Sequence, residues 1–223
     1  MERHHFEAEL QGLRNQLLTM GGLVEDRVHR AVHSLVNRRE DEAHRIIAGD
    51  KEINDLQMEI DDHCLRLLAT QTPLAVDLRL ITSAMKINAD LERMGDQAVN
   101  IAENVLVLLP QPPLKPLIDI PRMAEIAERM IRDALDAFVK RDAELARDVL
   151  RRDDEVDALK DQLFRELLTY MMADPGTIQR ALALMLISRN LERIADHATN
   201  IAEDVIFIAE AKDVRHHAGA EKP

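Results

Sequence analysis

Aromatic residues are scarce in this chain: four Phe, one Tyr and no Trp in 223 residues. A base-stacking surface for single-stranded nucleic acid needs more of them. Basic residues are also outnumbered, with 29 Lys plus Arg against 41 Asp plus Glu and a net charge of −12. No basic patch with interleaved aromatics is present, so a nucleic-acid partner is excluded and an anionic membrane surface is disfavoured. Cys64 is the single cysteine. It reads as a small buried hydrophobe in a reducing compartment, with no intrachain disulfide to form. No apolar run approaches the roughly 20 residues of a membrane span, so no membrane insertion is expected. The start, Met1-Glu2-Arg3-His4-His5-Phe6-Glu7, lacks the basic-then-apolar plan of a signal peptide. These features read as a cytoplasmic protein. Gly-rich phosphate loops, nucleophile elbows and Cys/His metal sets are missing too.

What fills the chain instead is Leu, Ile, Ala, Met, Glu and Arg, the composition of helix bundles. No alternating pattern suggests a strand. Apolar residues recur at helical spacing over 6–38, although Gly21-Gly22 interrupts them. A kink or the close approach of another helix accounts for two such costly residues. A second helix is expected from an Asp41 cap to about Thr70, a turn at Pro73, and a third helix from Leu74 to about Leu109. Four of the eight prolines fall between Leu109 and Leu117, a semi-rigid linker. Beyond it the plan repeats: a helix over 122–140, another over 142–172 capped by Asp142, a turn at Asp174-Pro175-Gly176, and a last helix over 177–211. The expected class is all-α, six helices in two tandem, internally repeated three-helix bundles. The units are 1–110 and 118–212, joined by 111–117 and followed by a frayed polar tail at 213–223.

The duplication is plainest in one helix. Leu91-Glu92-Arg93-Met94-Gly95-Asp96-Gln97-Ala98-Val99-Asn100-Ile101-Ala102-Glu103 returns as 191–203, with nine of thirteen positions identical. With Glu92 at zero and 100° per residue, Asp96 falls at about 40°, Asn100 at about 80° and Glu103 at about 20°. The apolar positions centre near roughly 230°, so an oxygen-rich stripe faces away from the core.

Hairpin symmetry brings more oxygens level with it. If the second and third helices are antiparallel about residues 71–72, Asp50 and Asn54 lie within about one turn of Glu92 and Asp96. In the second half, Asp153 and Asp157 lie level with Glu192 and Asp196. A solvated acidic face is the ordinary explanation for one such pair. Like charges four apart repel by a few tenths of a kcal/mol, and the same repulsion at two equivalent places calls for a compensating cation. Arg93 and Arg193 are candidates as structural salt bridges. Hard oxygen ligands with an amide suit Mg²⁺, Mn²⁺, Ca²⁺ or iron, and zinc less selectively. His197 has Gln97 as its counterpart, so it is no duplicated ligand and reads as incidental. The one Glu-x-x-His match, Glu2 to His5, sits at the extreme start, which disfavours a di-iron oxidase.

This constellation resembles the PhoU family, the phosphate-signalling proteins of bacteria. The resemblance rests on the two Glu-x-x-x-Asp motifs, each followed by Asn-Ile-Ala-Glu, and on Asp77-Leu78-Arg79, Thr19-Met20-Gly21-Gly22 and the aspartates early in each second helix. It implies a cytoplasmic, often dimeric protein that restrains the phosphate-starvation response and modulates phosphate uptake. Its implied partners are the nucleotide-binding subunit of the phosphate ABC transporter and a sensor histidine kinase. It further implies iron, zinc or another metal on Glu92, Asp96, Glu192 and Asp196, supported by Asp50, Asn54, Asp153, Asp157, Asn100 and Asn200. Manganese or magnesium fits the same donors. Asp77-Leu78-Arg79 becomes Thr177-Ile178-Gln179 in the second half, confining any role of that segment to the first. Asn54 stands where the second half has Asp157, so the first site carries fewer charges and is expected to bind metal more weakly. The rival is a metal-dependent phosphohydrolase on the same carboxylates, which the outward position of the acids argues against. A plain helical scaffold is the third possibility.

Overall fold

A computed structural model describes residues 2–71 and 73–211. The tail expected over 213–223 lies outside them. The described residues form α1 (Glu2–Val36), α2 (Glu40–Ala48), α3 (Lys51–Thr70), α4 (Ala75–Leu108), α5 (Asp119–Lys140), α6 (Ala143–Ala173) and α7 (Ile178–Glu210). The chain is all-α in two tandem three-helix bundles, and α2 and α3 together make the second helical arm of the first. Among the described residues no helix is long and apolar enough to cross a membrane.

The break between α2 and α3 corrects the single helix expected over 41–70. Gly49 ends α2, and Glu52 N–H bonds its carbonyl one residue early, at 3.2 Å. Arg27 Nη2, from α1, also donates to that carbonyl at 2.7 Å, while Nη1 reaches Asp50 at 3.4 Å. A side chain competing for a carbonyl at a glycine is a standard cause of a helix break. The cap is corrected as well. Arg39, not Asp41, is the N-cap residue, without a side-chain cap bond, and Asp41 sits in the first turn. There it still favours the helix dipole. Asp142 does cap α6, accepting from Glu144 and Leu145 N–H at 3.0 and 3.1 Å.

Both first arms leave their helix the same way. Arg38 and Arg141 adopt left-handed φ of 55° and 53°, and the next residue bonds five back, Arg39 to Ser34 and Asp142 to Ala137. This is the Schellman geometry, built twice on arginine where glycine is usual. The linker is fastened at both ends. Arg38 donates to the carbonyls of Leu109 and Gln111, Arg180 to that of Pro112, and buried Lys115 pairs with Asp119 and Glu166.

One core runs through both repeats. Long helices α4 and α7 pack on each other at its centre; α1, α2 and α3 cover α4, and α5 and α6 cover α7, with α1 also meeting α5. The apolar stripe of α1, Leu13, Leu17, Met20, Val24 and Val28, is wholly buried. Each such side chain stabilises by about 1.5–3 kcal/mol on the area scale. Cys64 is buried as its composition suggested, which pushes its thiol pKa up to about 12. Gly21 lets α1 approach α5: a Cβ there would meet Leu135 Cδ1 at 2.0 Å, whereas Gly22 faces open space. Gly95 plays a similar part inside the repeated motif, since a Cβ would lie 3.0 Å from Ile53 Cδ1. In the second repeat, Ala195 occurs together with the smaller Val156, so the volumes balance.

Candidate metal centre

The acids of the repeated motif sit where α4 and α7 meet their second arms. Glu92 is half-buried and Asp96 reaches the surface. The carboxyls of Glu92 and Asp96 are each raised in pKa, first by lost hydration and then by neighbouring carboxylates, among them Asp50 at the α2–α3 break. Asn54 is tied into this group by donating to Asp50 Oδ2 at 2.9 Å.

The second copy is more crowded. Asp153 on α6 is pushed up to about 6, by burial first and then by Asp196, Asp157, Asp154 and Glu192. Asp196 is raised by lost hydration, then by Glu192 and Asp157. Each raised pKa marks a cost of holding the charged form in the folded chain, lost hydration first and repulsion between carboxylates second. One cation relieves part of it: Lys160 Nζ lies 3.0 Å from Asp157 Oδ1 and 2.9 Å from Glu192 Oε1.

Sequence reasoning therefore placed Asp50, Asn54, Glu92 and Asp96 in one neighbourhood, and Asp153, Asp157, Glu192 and Asp196 in another, and the structure puts them there. Of the two motif asparagines, Asn200 goes elsewhere, donating to Asp90 Oδ1 at 3.3 Å, while the Asn100 backbone carbonyl accepts from the Asn104 side chain. Arg93 and Arg193 are exposed, and the cations in ion-pair contact with the acids are Arg27 and Lys160 instead.

His197 is not incidental. It is buried, and its Nδ1 lies 2.9 Å from Asp90 Oδ1 across the α4–α7 seam. The signal was available: Asp90 and Gln97 occupy the apolar stripe with Met94 and Ile101, at positions where a polar side chain needs a partner.

Among the described residues no three His, Cys, Asp or Glu side chains stand close enough to hold a metal ion as they are. The donor chemistry nevertheless suits a hard cation, with partly dehydrated carboxylates, an amide and no sulfur. A cation would remove the repulsion that raises these carboxyls.

Comparison with known proteins fits this duplicated geometry. The PhoU domain matches twice, over residues 17–105 and 120–205. The chain belongs to the PhoU family. It is 42% identical over 96% of its length, and 85% of the relative's, to the phosphate-specific transport system accessory protein PhoU homolog of Pseudomonas putida. The Escherichia coli phosphate-specific transport system accessory protein PhoU is 37% identical, covering 97% of this chain and 90% of its own. Among solved structures, PhoU from Pseudomonas aeruginosa superposes with a TM-score of 0.89 at 41% identity, over 93% of this chain and all of that one. The phosphate transport system regulatory protein PhoU from Streptococcus pneumoniae gives 0.88 at 32% identity, over 94% of this chain and 99% of that one. The matched spans end before and resume after the proline-rich linker, and each contains one acidic neighbourhood.

Proposed function

We propose that this protein is a non-enzymatic, cytoplasmic regulator that restrains the phosphate-starvation response and modulates phosphate uptake. It acts as an adaptor between the nucleotide-binding subunit of the phosphate ABC transporter and a sensor histidine kinase, as a homodimer. The observation that carries this reading is the identity to phosphate-specific transport system accessory proteins over nearly the whole chain. The surface supports an adaptor. Exposed Phe164, Leu168 and Met172 on α6 run beside exposed Ile178, Leu182 and Leu186 on α7, an apolar strip suited to a partner helix.

Metal belongs to the same proposal. Glu92, Asp96 and Asp50 would hold an ion in the first repeat, and Glu192, Asp196, Asp153 and Asp157 in the second. The ion would supply countercharge to carboxylates that repel one another.

Deleting the gene in its own organism tests the regulatory reading. A phosphate-starvation promoter then fires in high phosphate, and the wild-type gene restores repression. Normal repression in the deletion strain would sink the proposal.

A further inference from the structure

Six large apolar side chains face solvent along one side of the second repeat, three on each of two antiparallel helices. Lys160 Nζ reaches Glu192 Oε1 at 2.9 Å near one end of the α6–α7 hairpin, and Thr177 Oγ1 donates to the Tyr170 carbonyl at 3.1 Å at the other. Those two contacts set the levels between the helices. Phe164 comes level with Leu186, Leu168 with Leu182 and Met172 with Ile178, three rungs spaced about 6 Å apart. Each of the six is at least 39% exposed. A hollow of about 480 Å³ opens between Phe164, Leu182 and Leu186.

The fold does not require this surface. At the corresponding positions the first repeat carries Asp61, Leu65, Ala69, Leu78, Thr82 and Lys86. Its polar members are tied down within the chain. Asp61 accepts from Asn88 Nδ2 and Thr82 Oγ1 donates to the Leu78 carbonyl, both at 2.9 Å, and Lys86 pairs with Asp204 at the same distance. The same helix pair therefore packs with polar or small groups at four of the six positions. An apolar strip kept only in the second repeat marks an interaction surface.

The charges that continue the rungs identify what covers it. One turn beyond Phe164 and Leu186 stand Asp161 on α6 and Arg189 on α7, and a turn further Asp157 and Arg193. All four are exposed. Asp161, Arg189 and Arg193 have no ion-pair partner among the described residues, and Asp157 has Lys160. Thus α6 presents acids where α7 presents arginines, side by side but beyond ion-pair distance of each other. A two-fold axis parallel to the helices lays α6 of each copy over α7 of the other at unchanged level. Phe164 then packs on Leu186, Leu168 on Leu182 and Met172 on Ile178, while Asp161 meets Arg189 and Asp157 meets Arg193. Every contact is made twice. A foreign helix would need apolar anchors, acids and bases ordered to match; the chain's own hairpin carries them at the right levels.

We propose that the α6–α7 strip is the interface of a two-fold dimer, in which the hairpins of two copies close a four-helix bundle. This rests on the homodimer reading and gives it a surface. The face runs about 22 Å from Asp157 to Met172. That is the lower end of the size of specific interfaces, so a single substitution can open it. The first repeat offers no equivalent, because Met58 and Ala89 stand where the second has Asp161 and Arg189.

Sedimentation velocity of the full-length protein, from low to high micromolar concentration, is the test. The wild type is expected to be dimeric at the upper end. Leu182→Glu is expected to weaken the dimer on the order of 100-fold, since symmetry makes the substitution count twice. Asp161→Arg and Arg189→Asp each set like charges together and are expected to weaken it roughly 10-fold, and the double variant to recover most of that loss. Thr82→Glu, at the first repeat's match to Leu182, is expected to leave it unchanged. Circular dichroism checks the helices; should Leu182→Glu lose them, the charge series on exposed side chains decides alone. A dimer indifferent to Leu182→Glu, or weakened equally by Thr82→Glu, would overturn the α6–α7 interface and leave the homodimer reading standing. A double charge variant no tighter than the single ones would overturn the two-fold arrangement. A wild type that is monomeric throughout would refute the homodimer reading, and this interface with it.

Discussion

Gly21 and Gly22 are neighbours in α1, yet alanine at the two positions is expected to act in opposite directions. A Cβ at 21 would lie 2.0 Å from Leu135 Cδ1 and 3.4 Å from its Cγ, while nothing lies within 4 Å of one at 22. Leu135 is 4% exposed, so it must move inside the packed α1–α5 contact. Overpacking of that kind costs about 1–3 kcal/mol. Replacing a mid-helix glycine returns about 1 kcal/mol in either variant. That gain cancels in the difference between the two proteins, which isolates the steric cost. Gly22→Ala should therefore be more stable than the wild type, and Gly21→Ala less stable than Gly22→Ala by about 1–3 kcal/mol. Urea denaturation followed by far-UV circular dichroism measures both. Adding Leu135→Val to Gly21→Ala should recover part of the loss non-additively, because the two side chains share one space. Stabilities for the two alanine variants within about 0.5 kcal/mol of each other would refute the close approach. The result bears on function, since among the described residues α1–α5 is, with α4–α7, one of the main helix contacts between the repeats.

Asp153→Asn tests the stored repulsion. Burial and neighbouring carboxylates raise Asp153 from 3.8 to about 6, so the folded chain favours the protonated form and loses stability as pH rises across that window. The nominal cost is about 3 kcal/mol, which half-exposure screens to about 1 kcal/mol. Denaturation of metal-free protein should show the asparagine variant more stable by about that amount above pH ~7, with the gap closed below pH ~4; a gap independent of pH would contradict the assignment. Arg141→Gly should raise the melting temperature, because left-handed backbone costs a non-glycine residue about 1 kcal/mol. An unchanged or lowered melting temperature would mean that the arginine side chain compensates for its backbone.

The duplicated motif, the helical class and the level placement of the acids were legible because each depends on periodicity, which survives without tertiary information. Three features were not. The α2–α3 break needs Arg27, distant in sequence, to claim the Gly49 carbonyl, although Gly49-Asp50 in mid-pattern was a local hint. Asp41 looked like a cap because its residue type favours caps, but the left-handed exit at Arg38 starts α2 at Glu40, too early for that role. Lys160 escaped notice because it lies outside the repeated thirteen-residue stretch and shows only at the second-arm offset of 103, where Gln57 is its match. Charge counting on the motif alone therefore left out the cation that bridges Asp157 and Glu192.

The same asymmetry runs through the seam between α4 and α7, where the offset is 100. On one side Asp90 meets His197 and Asn200, and Lys86 pairs with buried Asp204 at 2.9 Å while lying 5.9 Å from the Phe207 ring centroid. On the other side the corresponding residues are Asn190 with Gln97 and Asn100, and Leu186 with Asn104. There the amides turn inward on their own helices: Asn190 donates to the Leu186 carbonyl and Asn104 to that of Asn100. An assembly of two identical chains would have to repeat every seam contact on both sides of its axis. Joining the copies in one chain lifts that constraint, so one side can carry ionisable pairs and the other neutral groups. The ionisable side then fixes register. Sliding α7 by one turn against α4 would leave Asp90 buried without His197, and an unsatisfied buried carboxylate costs several times what a surface pair contributes. Because α4 and α7 also carry the two Glu-x-x-x-Asp motifs, the register held by Asp90 and His197 sets the distance between the acidic sites. The polar seam that distinguishes Gln97 from His197 is therefore part of the scaffold of both sites.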